Sequence, residues 1–110
     1  MDEILLYLQI NKLGNWMSIY NSLAKKEELQ VSEIKKTIAE YEKENKDYEF
    51  ITLISSDYPN FLKGWYKPPF IVFKKGNKLF YKYGKNLKES FEIKDGQEQK
   101  YQDFLKSFEN

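Results

Sequence analysis

Between Tyr58 and Lys88 the chain carries eight lysines, Lys63, Lys67, Lys74, Lys75, Lys78, Lys82, Lys85 and Lys88, and no acid. Large rings alternate with them: Phe61, Trp65, Tyr66, Phe70, Phe73, Phe80, Tyr81 and Tyr83. Cations that hold phosphates, set beside rings that stack on unpaired bases, are what a single-strand binding surface is made of. Type and spacing therefore nominate Lys63, Trp65, Tyr66, Lys67, Lys74, Lys75, Lys78, Tyr81, Lys82, Tyr83 and Lys85 as a binding face. Its partner would be single-stranded nucleic acid or a protein. On a strand over 78–83, Tyr81 and Tyr83 share a face with Leu79, while Phe80 and Lys82 take the other. With Leu79 in the core, the tyrosines are expected to be partly buried and Lys82 to face solvent.

Catalytic equipment is thin. The 110 residues include no His and no Cys. That removes zinc sites of the usual ligand set, Ser-His-Asp triads and Cys-His pairs. All 18 positive charges are Lys, so the two-pronged grip of Arg on phosphate or guanine is missing as well. The pairs Glu27–Glu28, Glu40–Glu44 and Asp47–Glu49 sit in strongly charged sequence with no Gly-rich loop near them. Glu40 and Glu44 form a like-charge i, i+4 pair, offset by Lys36 and Lys43. A solvated face is expected there. The chain is not read as an enzyme, and no catalytic residue, metal, cofactor or small-molecule substrate is expected. A formal net charge of +1 argues against a DNA mimic, which would be heavily acidic.

The elements that must position the lysines and rings follow from periodicity. Ile4, Leu5 and Leu8 predict a helix over 2–10, with acids in its first turn. Gly14 ends it and Asn15 caps the next helix, where Trp16, Ile19, Tyr20 and Leu23 form an apolar stripe. The turn between them resembles the hairpin of a helix-hairpin-helix, but the sequence favours an ordinary helix–helix turn. Ser32 is expected to cap a third helix through Asn45 with Val31, Ile34, Ile38 and Tyr41 facing inward. The period then changes to two. Strands are expected over 50–54, 69–73, 78–83 and, at an edge, 89–93, with a turn at Lys74-Lys75-Gly76-Asn77. Tyr101, Phe104, Leu105 and Phe108 predict a closing helix. The expected class is α+β: about three N-terminal helices packed with a small, mainly antiparallel sheet and a C-terminal helix. One domain over 1–110 is expected, with helices in residues 1–46, the small sheet in 47–94 and the closing helix in 95–110.

The stretch SDYPNFLKGWYKPPFIVFKKGN, from Ser56 to Asn77, holds the chain's three prolines. Proline fixes φ and restricts the residue before it, so Tyr58 and Lys67 are expected to be extended. On the structural reading, Tyr58, Phe61, Leu62 and Trp65 plug the sheet onto the helices. The same stretch resembles the front of the DNA-processing protein A family (DprA, or Smf). The residues that carry the likeness are Ile51-Thr52-Leu53, Asp57-Tyr58-Pro59, Leu62, Pro68-Pro69, Val72-Phe73 and Gly76-Asn77, across roughly Val31 to Phe80. The resemblance implies a shared structural lead-in. It implies no transfer of that family's DNA-binding residues, which lie in a following Rossmann-like domain opened by a Val-Gly-x-Arg signature that this Arg-free chain lacks.

The functional expectation is a non-enzymatic DprA-like module that binds nucleic acid, single-stranded DNA above all, or the DNA-processing machinery. The alternative is a protein-binding inhibitor or adaptor from a phage or mobile element, acting on a host defence nuclease such as a CRISPR effector. No apolar run approaches the roughly 18 residues of a membrane span, and a cytoplasmic location is expected.

Overall fold

The computed structural model describes residues 1–108 of the chain. In order it forms α1 (Asp2–Asn11), α2 (Trp16–Ala24), α3 (Val31–Glu44), β1 (Glu49–Thr52) and a one-turn helix, α4 (Asn60–Lys63). Then come β2 (Ile71–Lys75), β3 (Lys78–Tyr83), a 3-10 turn (Lys85–Leu87), β4 (Glu89–Ile93) and α5 (Glu98–Lys106). The class is α+β as expected, with three N-terminal helices, a four-stranded antiparallel sheet and a C-terminal helix. Of the segment expected to close the domain, Glu109 and Asn110 lie outside the described residues. No helix among the described residues is long and apolar enough to cross a membrane.

The sheet is a meander, β1-β2-β3-β4. Its tightest connection is Gly76-Asn77, with Gly76 at φ +61, a sign that glycine tolerates and branched residues do not. Register sets Phe50 opposite Phe73 and Phe73 opposite Phe80 on one face, and Tyr81 opposite Phe91 on the other. Both faces are covered. Leu6 of α1 and Tyr41 of α3 pack with Ile71, Phe73 and Leu87 on the first. On the second, Val72, Tyr81 and Ile93 meet Tyr58, Leu62, Trp65 and the α5 residues Tyr101 and Leu105. Leu5, Leu8, Ile19, Ile34 and Phe70 join the three N-terminal helices to the start of β2.

Several local expectations shift. α1 is not a one-faced surface helix: Leu5, Leu6, Tyr7, Leu8 and Gln9 are all buried, because α3, α2 and the sheet enclose it. Asn15 caps α2 as expected, its side chain accepting from the Ser18 N–H at 3.2 Å. Ser32 does not cap α3. The cap position is Gln30, and Val31, the first helical residue, is exposed rather than inward-facing. β1 ends at Thr52, so Leu53 and Ile54 fall in the turn that follows and Ile54 is exposed. Lys74 and Lys75 belong to β2 rather than to the turn. The helix-hairpin-helix likeness gains nothing from the geometry. The Gly14 and Asn15 N–H groups are spent on the carbonyls of Gln9 and Lys12, at 2.9 and 3.0 Å.

Candidate nucleic-acid interface

The interface is built on four consecutive carbonyls. Prolines 68 and 69 have no N–H, so this segment cannot join a ladder, and its C=O groups need donors from elsewhere. Side chains supply all four. The Tyr66 carbonyl accepts from Gln102 Nε2, that of Lys67 from the Tyr101 hydroxyl (2.8 Å), that of Pro68 from Trp16 Nε1 (2.8 Å) and that of Pro69 from the Tyr58 hydroxyl (2.7 Å). The Pro68-Pro69 pair and the rings occur together because three rings, those of Trp16, Tyr58 and Tyr101, are donors to this segment. Lys67 itself is not extended: its φ is +52, an unfavourable region before proline that persists because bonds on both sides hold it. Removing the Tyr58 hydroxyl leaves the buried Pro69 carbonyl unpaired. Tyr58→Phe is accordingly expected to destabilise the fold by about 1–3 kcal/mol, read as a lowered urea midpoint with an unchanged slope.

From this clamp one ring projects. Tyr66 is 69% exposed, while its N–H donates to Glu98 Oε2 at 3.2 Å and its carbonyl is held by Gln102, both on α5. The Lys67 ammonium lies 5.4 Å from the Tyr66 ring and 5.7 Å from that of Trp16. Trp16 in turn stacks on Phe70 (4.8 Å) and on Tyr20 (5.4 Å, 8° between planes), so a row of rings runs from the core to exposed Tyr20. Tyr66, Lys67, Trp16 and Tyr20 form an aromatic ledge with a cation within it.

The other nominated residues do not make one continuous face. Trp65 and Tyr81 are buried: Trp65 packs on Tyr101, and the Tyr81 hydroxyl reaches the Gly14 carbonyl. Tyr83 is half-buried between Phe104 and Phe108. The lysines divide by topology. Lys74, Lys75 and Lys78 flank the β2–β3 turn, whereas Lys67 precedes β2 and Lys85 and Lys88 follow β3 at the opposite end. β3 has six residues, so the two groups stand about 20 Å apart. Lys63 lies on α4, one turn ahead of the ledge. Of the lysines around the β2–β3 turn, Lys74 lies opposite Glu49, the last acid of the upstream segment, in the β1–β2 register. Among the described residues the one close ion pair is Lys12–Glu27, at 3.9 Å.

Lys82 corrects the expectation of a solvent-facing charge. It is 4% exposed, because its side of the sheet is covered by α1 and α3. Its ammonium donates to Asn45 Oδ1 at 2.9 Å and sits 3.8 Å from the Tyr48 ring centre. Asn45 also donates to the Tyr41 carbonyl, so the cation fastens the end of α3 to the sheet, where the helix dipole favours positive charge. Burial, and secondarily Lys75, lowers the Lys82 pKa. Among the described residues no carboxylate pairs with it, so the charge is tolerated rather than stabilising. Lys82→Met is expected to be neutral or to stabilise by about 1–2 kcal/mol. Asn45→Ala, which leaves the ammonium without its acceptor, is expected to destabilise by about 1.5–3 kcal/mol. Thermal melts of the two variants check the contrast.

Glu27, Glu28, Glu40, Glu44, Asp47 and Glu49 are exposed, the solvated face expected of them. Among the described residues no three metal-ligating side chains come together. A groove of about 580 Å³, lined by Met1, Ile4, Val31, Ile34 and Ile54 together with the charged Asp2, Glu3 and Lys35, runs along the start of α1 and α3. Trp16 and Tyr20 are the ledge residues that the sequence pattern does not single out. Both belong to the apolar stripe expected to face inward, and Tyr20 corrects that expectation: it is exposed, at the edge of the stripe beside Met17. No family model, curated protein or solved structure matches this chain.

Proposed function

We propose that the protein is a non-enzymatic module that binds single-stranded nucleic acid at the Tyr66–Lys67 ledge, in the DNA-processing machinery of a bacterial or phage cytoplasm. One observation carries this reading: a ring 69% exposed on a backbone tied at both its N–H and its carbonyl, with an ammonium 5.4 Å away. A fixed platform reduces the ordering that stacking would otherwise require. Every base has a face to offer it, and cations beside it hold the phosphates. Lys67, Lys85 and Lys88 share that end of the sheet. The kinship with the front of the DprA family belongs to this proposal: Tyr58-Pro59 and Pro68-Pro69, which carry the likeness, are the segment that aims the ledge.

The test is fluorescence anisotropy with a labelled oligothymidylate of about twelve nucleotides. Contact with three phosphates predicts a slope of log affinity on log salt of about −2. Tyr66→Ala is expected to weaken binding about 5- to 150-fold, the worth of one stacked base. Lys78→Gln, at the far end of the sheet, should change little. Absence of salt-dependent binding, or full affinity in Tyr66→Ala, would sink the reading and leave a protein partner, the inhibitor or adaptor alternative, as the one to pursue.

A further inference from the structure

The three N-terminal helices enclose a cleft at the C-terminal end of α2, away from the ledge at its start. Its volume is about 350 Å³, within the roughly 300–1,000 Å³ of sites that take a whole small ligand. Buried Leu8 and Ile34 line it, with Ile4, Leu23, Leu29 and Val31 around them. Val31 is 63% exposed, an apolar side chain that the fold leaves uncovered. Ile4, Val31 and Ile34 also line the groove that reaches exposed Ile54, so the apolar lining continues beyond the cleft. Contiguous apolar surface of this kind marks a binding groove. A lining that extends past the cleft suits a straight hydrocarbon chain better than a compact ring.

Charge selects the head of that chain. Two charged side chains line the cleft, Lys26 and Glu27. The Glu27 carboxylate faces the Lys12 ammonium at 3.9 Å, whereas among the described residues no carboxylate comes within ion-pair distance of Lys26. The end of α2 closes with the Glu27 N–H on the Ser22 carbonyl (3.1 Å) and the Lys26 N–H on the Leu23 carbonyl (3.2 Å), which sets Lys26 at φ +51. Glycine is the usual residue at that position. Lysine there sacrifices backbone ease and places a cation at the rim of the cleft. At the far end of the adjoining groove stand Asp2 and Glu3, with Lys35. An anionic head is therefore favoured beside Lys26 and disfavoured at the other end. We infer that the cleft binds a fatty carboxylate, its head on Lys26 and its tail along Ile4 and Val31 towards Ile54. A methylene fills no more space than a water, about 30 Å³, so the cleft itself holds roughly ten of them. The site is separate from the ledge and does not depend on the single-strand reading.

The experiment titrates the full chain calorimetrically with octanoate, decanoate and decylammonium, each below its micelle concentration. Decanoate is expected to bind about 10- to 20-fold tighter than octanoate, the worth of two more buried methylenes. It should bind about two- to five-fold tighter than decylammonium, the worth of one exposed ion pair. Lys26→Asn removes the charge with a residue that tolerates positive φ, so the turn is kept. That variant is expected to lose the preference for the anionic head and to retain the dependence on chain length. The methyl resonances of Leu23, Leu29 and Val31 should shift with decanoate. Equal affinity for the two heads, no gain from the longer tail, or an unchanged preference in Lys26→Asn overturns the inference. So does decanoate that binds while those methyls stay still, because the ligand would then lie elsewhere.

Discussion

Gly14→Ala is expected to remove most of the fold's stability. Gly14 has φ +80, and a Cβ there would lie 2.5 Å from Tyr83 Cβ and 2.9 Å from Tyr83 Cα. Backbone cannot step aside as a flexible side-chain tip can. Left-handed backbone costs a residue with Cβ about 1–2 kcal/mol, and overpacking adds about 1–3. The α1–α2 turn is fastened here to β3, through the Tyr81 hydroxyl on the Gly14 carbonyl and the Gly84 N–H on the Leu13 carbonyl. Loosening both adds about 1–3 kcal/mol more. A total of roughly 3–8 kcal/mol is comparable with the 5–15 that a whole domain commands. Gly76→Ala is the control: φ is +61 but nothing lies within 4 Å, so only the backbone penalty applies. Equal urea midpoints for the two variants would contradict the close approach of turn and strand.

Alkali is expected to unfold the protein steeply just above pH 10. Tyr7, Tyr41, Tyr58, Tyr81 and Tyr101 all have pKa values raised from 10.0, with burial the largest cause in each. Below pH 10 both folded and unfolded chains keep these protons, and stability is intact. Above it the unfolded chain ionises first, so each tyrosine withdraws up to about 1.4 kcal/mol per pH unit until its folded pKa is reached. The four with the large shifts, Tyr41, Tyr58, Tyr81 and Tyr101, together remove up to roughly 5–6 kcal/mol per unit, an amount on the scale of the total. Lys82 works the other way. Its lowered pKa means that the folded chain sheds the proton first, so stability rises slightly as pH climbs towards 10.5. One lysine does not offset five tyrosines. Circular dichroism and tyrosinate absorbance followed together should show the buried tyrosines ionising in the same step that loses the helical signal. Tyrosinate appearing in full before the helical signal is lost would refute this linkage.

The stretch from Ser56 to Asn77 shows what was legible and what was not. Its prolines mark a bend between strands, and Tyr58, Leu62 and Trp65 are buried as a structural reading expects. They close the sheet against α5 rather than against the N-terminal helices, because the order of layers depends on which partner reaches which face. That Trp16, Tyr58, Tyr101 and Gln102 would each donate to one of four successive carbonyls could not be read locally. Three of these donors are separated from their acceptors by 52, 34 and 36 residues. The one-turn helix α4 is likewise too short to show a period.

The amino-acid order alone determined the class of the fold, the succession of strands and of every helix but α4, the Asn15 cap and the absence of His, Cys and Arg. Each of these rests on spacing within a few residues or on composition, and local sterics enforce the spacing. Only tertiary packing decided that Lys82 is inside, that Tyr81 and Trp65 are core, and that the lysines divide between two ends of the sheet. A strand's alternation assigns side chains to two faces but does not say what covers either. Here α1 and α3 cover one and α5 the other, so of the nominated aromatics it is Tyr66, on a loop outside the sheet, that remains most open to a ligand.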